Sequence, residues 1–199
     1  MSQPLNRRLG RAFFDRDPLE VAPDLLGKVV LAGERSGSIV EVEAYRGSDD
    51  PGSHGYRGVT PRTEVMFGPP GHLYVYFSYG MHWCANVVCG PPGVCGAVLI
   101  RGLSPLTGLA GMYTARPKAK RDRDLCSGPA KLCASLGIDG RHNGINLMGS
   151  QPPVEVRDRG VEVRDAAVST RIGLGEGKGQ ELPWRFYVAG DPNVSARPR

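Results

Sequence analysis

The feature that most constrains the fold is a run of three strand-like segments packed into about thirty residues. Residues 73–78 and 82–88 alternate and carry aromatic and β-branched side chains, and residues 96–103 form a further apolar strand. Tyr79-Gly80 falls where the first two must turn, because glycine accepts positive φ at little cost. Two more strands, 28–33 and 38–45, flank a polar turn, and Trp184 to Ala189 reads as a last strand. With Gly 28 and Pro 17 in 199 residues, turns are abundant and long helices scarce. Three helices are expected. Asp17 N-caps one that starts at Pro18 and closes at Gly27. A second covers Pro105 to about Ala115, and a third runs from Ser127-Gly128-Pro129 to Leu136, ended by Gly137. Residues 1–12 read as a loose start, and the absence of repeats or linkers predicts one domain.

Residues 46–72 show no periodicity and are crowded with Gly, Pro, Ser and Asp. A loop of that length in a compact domain is functional or disordered, and we read it as ordered. The Gly173–Gly179 stretch is a second loop. Arg116 to Asp124 is a charge run whose default is a solvated loop, with phosphate contact as the sharper alternative.

The formal charge is +5, and with five lysines among 25 basic residues, 20 are arginines. Phosphate, RNA or anionic lipid all suit such a balance. Arginine favours bidentate phosphate contacts, though arginine richness also follows genome base composition. The five cysteines, Cys84, Cys89, Cys95, Cys126 and Cys133, match no zinc or iron–sulfur spacing and read as reduced, buried thiols of an intracellular protein. Residues 1–11 hold no signal-peptide core, and no run approaches a membrane span.

Alternation places Glu41, Glu43 and Tyr45 on one face of their strand and Val40, Val42 and Ala44 on the other. Carboxylates beside a functional loop could activate water; a solvent-facing strand edge is the commoner arrangement for such a pair. His54, Tyr56, Arg57 and Arg62 follow in the loop. Tyr74 and Tyr76 share a face. Tyr79 at the hairpin tip has two readings, a ring packed back on the sheet or a wedge that enters a base stack. Asn86 and Arg101 are polar residues in apolar strands, so each needs a backbone partner or a ligand.

Together these residues resemble the 3-methyladenine DNA glycosylases of the alkyladenine glycosylase type. The matching segments are Asp24-Leu25-Leu26-Gly27-Lys28, Val42-Glu43-Ala44-Tyr45, His54, Thr60-Pro61-Arg62, Met66-Phe67, Gly71 through Gly80-Met81, and Asn86. Leu99-Ile100-Arg101, Ser127 through Cys133, Arg171-Ile172-Gly173 and Arg185 through Val188 complete the set. Their combination and order are specific, though no single piece is. Thr63, where the family commonly has Asn, and Trp83, at a variable position, depart from the pattern.

The resemblance implies a mixed α/β (α+β) domain around a curved, mainly antiparallel sheet, with a protruding hairpin and flanking helices. It implies a monofunctional glycosylase of base excision repair, acting as a monomer on double-stranded DNA with damaged purines. The substrates would be 3-methyladenine and 7-methylguanine, with hypoxanthine and ethenoadenine as further candidates. Neither cofactor nor metal is implied, and a cytoplasmic, bacterial-type protein is expected. Residue by residue, Glu43 matches the general base and Arg101 a support of the catalytic water. Tyr45, His54 and Tyr76 surround the flipped base, Asn86 guards against normal guanine, and Ile172 shapes the wall. Tyr79 matches the intercalating residue. No lysine lies in the matched pocket segments, which argues against Schiff-base chemistry and strand cleavage. Two aromatic rings facing a base would draw alkylated, cationic purines by cation–π attraction.

Overall fold

The computed structural model describes residues 7–195. Nine antiparallel strands form one sheet. Their ranges are β1 Arg7–Arg8, β2 Val29–Ala32, β3 Arg35–Tyr45, β4 Leu73–Ser78, β5 His82–Val88, β6 Ala97–Thr107, β7 Val154–Asp158, β8 Ala166–Ser169 and β9 Arg185–Val188. The order is β1-β7-β2-β3-β6-β5-β4, and β3 also pairs with β9, which pairs with β8. The sheet curls into a half-barrel, giving the single curved, mainly antiparallel mixed α/β domain that the sequence implied. The helices are α1 Arg11–Phe14, α2 Pro18–Leu25, α3 Leu109–Ala115, α4 Arg123–Cys126 and α5 Pro129–Leu136.

The strand period decides what each face of the sheet carries. One face presents Val42, Ala44, Val75, Ala85, Val87, Val98 and Ile100 to the main core, with Leu25 of α2 and Leu132 and Leu136 of α5 among its members. Each fully buried valine, leucine or isoleucine among them stabilises the fold by roughly 2 kcal/mol. The opposite face carries Glu43, Tyr74, Tyr76, Asn86 and Leu99. There the long loop packs Val65, Met66 and Phe67, on a single 3-10 turn Glu64–Phe67, against Tyr74, Tyr76, Val88, Cys95 and Ala97.

The expected caps form. The Asp17 carboxylate accepts from the Leu19 amide at 2.8 Å, and Gly137 closes α5 at φ 73°. The helix expected from Pro105 starts later, at Leu109. Ser104, Pro105 and Thr107 continue β6 by pairing with Ser38, Gly37 and Ser36 of β3, and Gly108 at φ 71° then turns the chain. β3 likewise begins at Arg35, three residues early, because residues 35–38 already pair with β2. Residues 7–8 and 11–14 hold a strand and a helical turn, so that part of the loose start is structured; residues 1–6 lie outside the described part. Within the charge run, Arg116 donates to the carbonyls of Asp124 and Leu125, folding the segment onto the start of α4.

One irregularity sets the site. Val42 pairs with Ile100 but Glu41 pairs with Gly102, so Arg101 is an extra residue set between two glutamates. Bulges of this kind re-aim side chains. Gly102 must be glycine: a Cβ there would stand 2.7 Å from the Asn193 carbonyl oxygen.

Candidate active site

Glu41 and Glu43 are fully buried, which corrects the solvent-facing edge reading. Arg101 bridges them, its Nε donating to Glu41 Oε1 and its Nη1 to Glu43 Oε2, both at 3.1 Å. Glu43 Oε2 also accepts from the Tyr45 hydroxyl at 2.9 Å, and Oε1 accepts from the Ile172 amide at 2.7 Å. Oε2 thus takes two donors and Oε1 only one from the protein, which leaves an acceptor position on Oε1. Burial, followed by the charge of Glu43, raises the Tyr45 pKa, so its phenol is a firm donor. Burial alone would lower the Arg101 pKa; Glu43 and Glu41 beside it lift it above the ordinary value.

In front of this carboxylate lies a cavity of about 730 Å³, lined among others by Tyr45, His54, Tyr76, Asn86, Arg101 and Ile172. Glu43 itself stands behind that lining and touches three of its members. The volume falls in the range that takes a purine-sized ligand. The His54 ring edge meets Tyr76 at 4.4 Å between centroids, and its Nδ1 shares a 3.1 Å hydrogen bond with the Tyr74 hydroxyl. Burial, then the charges of Arg62 and Lys178, lower the His54 pKa to about 4, so the ring is neutral at physiological pH. Asn86 donates to the Tyr74 carbonyl at 3.1 Å and borders the cavity.

The rim is built by the β4–β5 hairpin. Tyr79 is 84% exposed and holds φ 50°, alone among non-glycine described residues in positive φ. Phe77 and Met81 beside it are also exposed, at 47% and 67%. The packed-back reading of Tyr79 therefore does not hold; Trp83 packs back instead, 4.7 Å from Phe77 and against Gly140.

The structure brings all eight sequence-selected residues to this cavity or directly behind it. It also adds residues that the sequence reading passed over. Lys178 lines the cavity, so a lysine does border the pocket. The tyrosine faces are partly taken: the Arg171 guanidinium lies 4.7 Å from the Tyr45 centroid, and that of Arg62 lies 5.5 Å from the Tyr76 centroid. Arg171 in turn pairs with Asp50, and Arg185 with Glu41. Asp50-Pro51-Gly52 reads locally as a turn signal, and nothing in that pattern points to an arginine 121 residues away. All five cysteines are free and buried, as read; Cys84 borders the cavity. No helix among the described residues is long and apolar enough to cross a membrane.

Residues 12–192 match the family model described as methylpurine-DNA glycosylase. The chain is 54% identical to a protein of Burkholderia lata over 94% of this chain and 90% of that one. It is 48% identical to one of Rhodopseudomonas palustris (96% and 92% covered) and 44% identical to one of Agrobacterium fabrum (99% and 97%). Each of the three bears the name "Putative 3-methyladenine DNA glycosylase".

Proposed function

The chain belongs to the methylpurine-DNA glycosylase family, DNA N-glycosylases that process damaged bases, and on that premise we propose that it flips a damaged purine into this cavity and hydrolyses its glycosidic bond with a water activated by Glu43. The observation that carries this reading is the state of Glu43. It is fully buried behind the cavity wall, fixed by three donors, with one acceptor position on Oε1 left over. A water bridging that position and C1′ of a flipped nucleotide gives its proton to Oε1 as its oxygen bonds C1′. The bond to the purine breaks, and its electron pair leaves with the base. The carboxylate also offsets the positive charge that builds on the sugar in such a cleavage. Arg101 orients the carboxylate and screens Glu41 from it.

Tyr45, His54 and Tyr76 would enclose the base, and Asn86 would exclude the exocyclic amine of normal guanine. Tyr79 would fill the gap left in the stack, since extrusion costs a few kcal/mol, less at a damaged pair. A cationic 3-methyladenine or 7-methylguanine leaves as a neutral base. Hypoxanthine and ethenoadenine need a hydrogen bond or proton as they leave, and neutral His54, with Nδ1 against the Tyr74 hydroxyl, would offer its Nε2–H. Lys178 sits exposed on the rim, whereas a Schiff-base lysine works in a desolvated pocket; we infer a monofunctional enzyme that acts as a monomer.

Duplexes holding one defined lesion test this. Wild type should release the base and leave an abasic site that breaks only on alkali treatment. Glu43→Gln should bind the lesion duplex while cleaving at least about 100-fold more slowly. Breakage without alkali would refute the monofunctional part. Lesion binding with no release by wild type would make the chain a recognition domain.

A further inference from the structure

We propose that Asp50 and Arg171 form a buried latch that positions the Glu43 carboxylate, making both of them positioning residues of the reaction. The inference rests on the reading of Glu43 as the base. Both side chains are 0% exposed. Arg171 Nη1 donates to Asp50 Oδ2 at 2.6 Å and Nη2 to Oδ1 at 2.7 Å, a bidentate fork. Nη1 also donates to the Ala44 carbonyl at 3.1 Å. The guanidinium lies 4.7 Å from the Tyr45 centroid and 5.0 Å from that of Trp184. Asp50 is itself fixed by the amides of Arg46 and Gly52, at 3.2 and 2.9 Å.

Stability is a weak reason for such a pair. Dehydrating two charges costs several kcal/mol, and apolar replacements of buried ion pairs are often neutral or stabilising. What the pair does that an apolar contact would not is join three segments that meet at Glu43: the loop after β3, the end of β3 itself, and the segment after β8. Ile172 follows Arg171 directly, so anchoring the guanidinium fixes the amide that donates to Glu43 Oε1 at 2.7 Å. Tyr45, whose ring lies against the same guanidinium, donates to Glu43 Oε2. Both oxygens of the carboxylate are thus aimed through one arginine. Beyond Ile172 the chain runs through Gly173, Gly175, Gly177 and Gly179 without strand pairing, so little else holds that amide in place. A Cβ at Gly52 would approach the Lys178 carbonyl oxygen to 2.7 Å and Arg171 Nη2 to 2.9 Å, so the two loops close tightly around the latch.

Arg171→Lys keeps the charge but loses the fork, and Asp50→Glu keeps the fork but displaces it by one methylene. Single-turnover excision at saturating enzyme, lesion-duplex affinity and the ¹⁵N–¹H resonance of Ile172 would be measured on both, below their melting temperatures. The expected result is excision slowed about 10- to 100-fold, with affinity changed little and the Ile172 amide proton moved upfield as its hydrogen bond lengthens. A lowered melting temperature with wild-type excision would overturn the proposal, as would slowed excision with an unshifted Ile172 amide. If Arg171→Lys does not fold, Asp50→Glu gives the same readings. Wild type inactive on every lesion would instead sink the Glu43 reading; wild type active and both variants equally so sinks only the latch.

Discussion

Two glutamates two residues apart on one strand face differ in their donors. Glu41 accepts four from the protein, Arg101, Arg185 and the Ser195 hydroxyl on Oε1 and the Ser195 amide on Oε2, and of these residues only Arg101 lines the cavity. Glu43 accepts three, from Arg101 and from the cavity-lining Tyr45 and Ile172. Alternation alone put both on one face, but it could not tell which of them backs the cavity, because Arg185 and Ser195, which hold Glu41, arrive from strands and segments more than 140 residues on. His54 shows a second residue-scale effect. Its pKa falls from an ordinary 6.5 to about 4, through burial first and then Arg62 and Lys178; the uncharged Tyr74 and Tyr76 rings face it as well. Between those two values the unfolded chain binds a proton at this residue that the folded one refuses, so stability falls as pH drops from 6.5 towards 4 and levels off below. Above 6.5 the residue contributes nothing to the pH dependence. Urea denaturation across this window should show a smaller acid loss for His54→Gln than for wild type. Identical acid slopes would mean that the imidazole does not resist protonation in the folded state.

Among the elements, the β4–β5 hairpin is the one whose shape conflicts with its own stability. A tyrosine at φ 50°, 84% exposed, is held in a backbone region that costs roughly 1–3 kcal/mol for residues other than glycine. Tyr79→Gly should therefore leave the melting temperature unchanged or raise it. If the ring is the wedge that replaces a flipped base, the same change should weaken lesion-duplex binding by about 10-fold or more while affecting undamaged duplex less. Equal weakening on both duplexes would reduce Tyr79 to a general contact. This hairpin was legible in the sequence because strand period and turn glycine agree over a short span. Other boundaries were not. Pro105 and Thr107 look like a helix start, yet they pair across β3, and a proline is tolerated there because the register shifts beside it. β7 and β8 escaped notice: each is short, and their pairing partners, β2 for one and β9 for the other, lie far along the chain or depend on contacts that no local pattern carries.

At the scale of the whole molecule, the excess of arginine divides into two populations. Many arginines are internal ties. Arg101, Arg171 and Arg185 are buried in ion pairs, and Arg35 and Arg116 donate to backbone carbonyls, fixing Ser135 of α5 and the residues around α4. Others, such as Arg121, Arg141 and Arg157, lie beside carboxylates of their own segments. The net charge of +5 thus overstates how many arginines face a duplex by choice of position. Arg62 and Lys178 differ: both are exposed, both line the cavity, and neither has a carboxylate partner among the described residues. They stand on separate loops, one from the 46–72 stretch and one from the glycine-rich segment, and on the proposed reading they would meet the sugar–phosphate of an extruded nucleotide. Each phosphate neutralised releases condensed counterions, so the logarithm of affinity falls with that of salt by about 0.9 per contact. Arg62→Ala and Lys178→Ala should each make that slope shallower by about 1, alike for lesions of any charge. An unchanged slope with a shift in preference between cationic 7-methylguanine and neutral hypoxanthine would place these cations against the base rather than the backbone. Arg62 and Lys178 would then be a device of substrate choice.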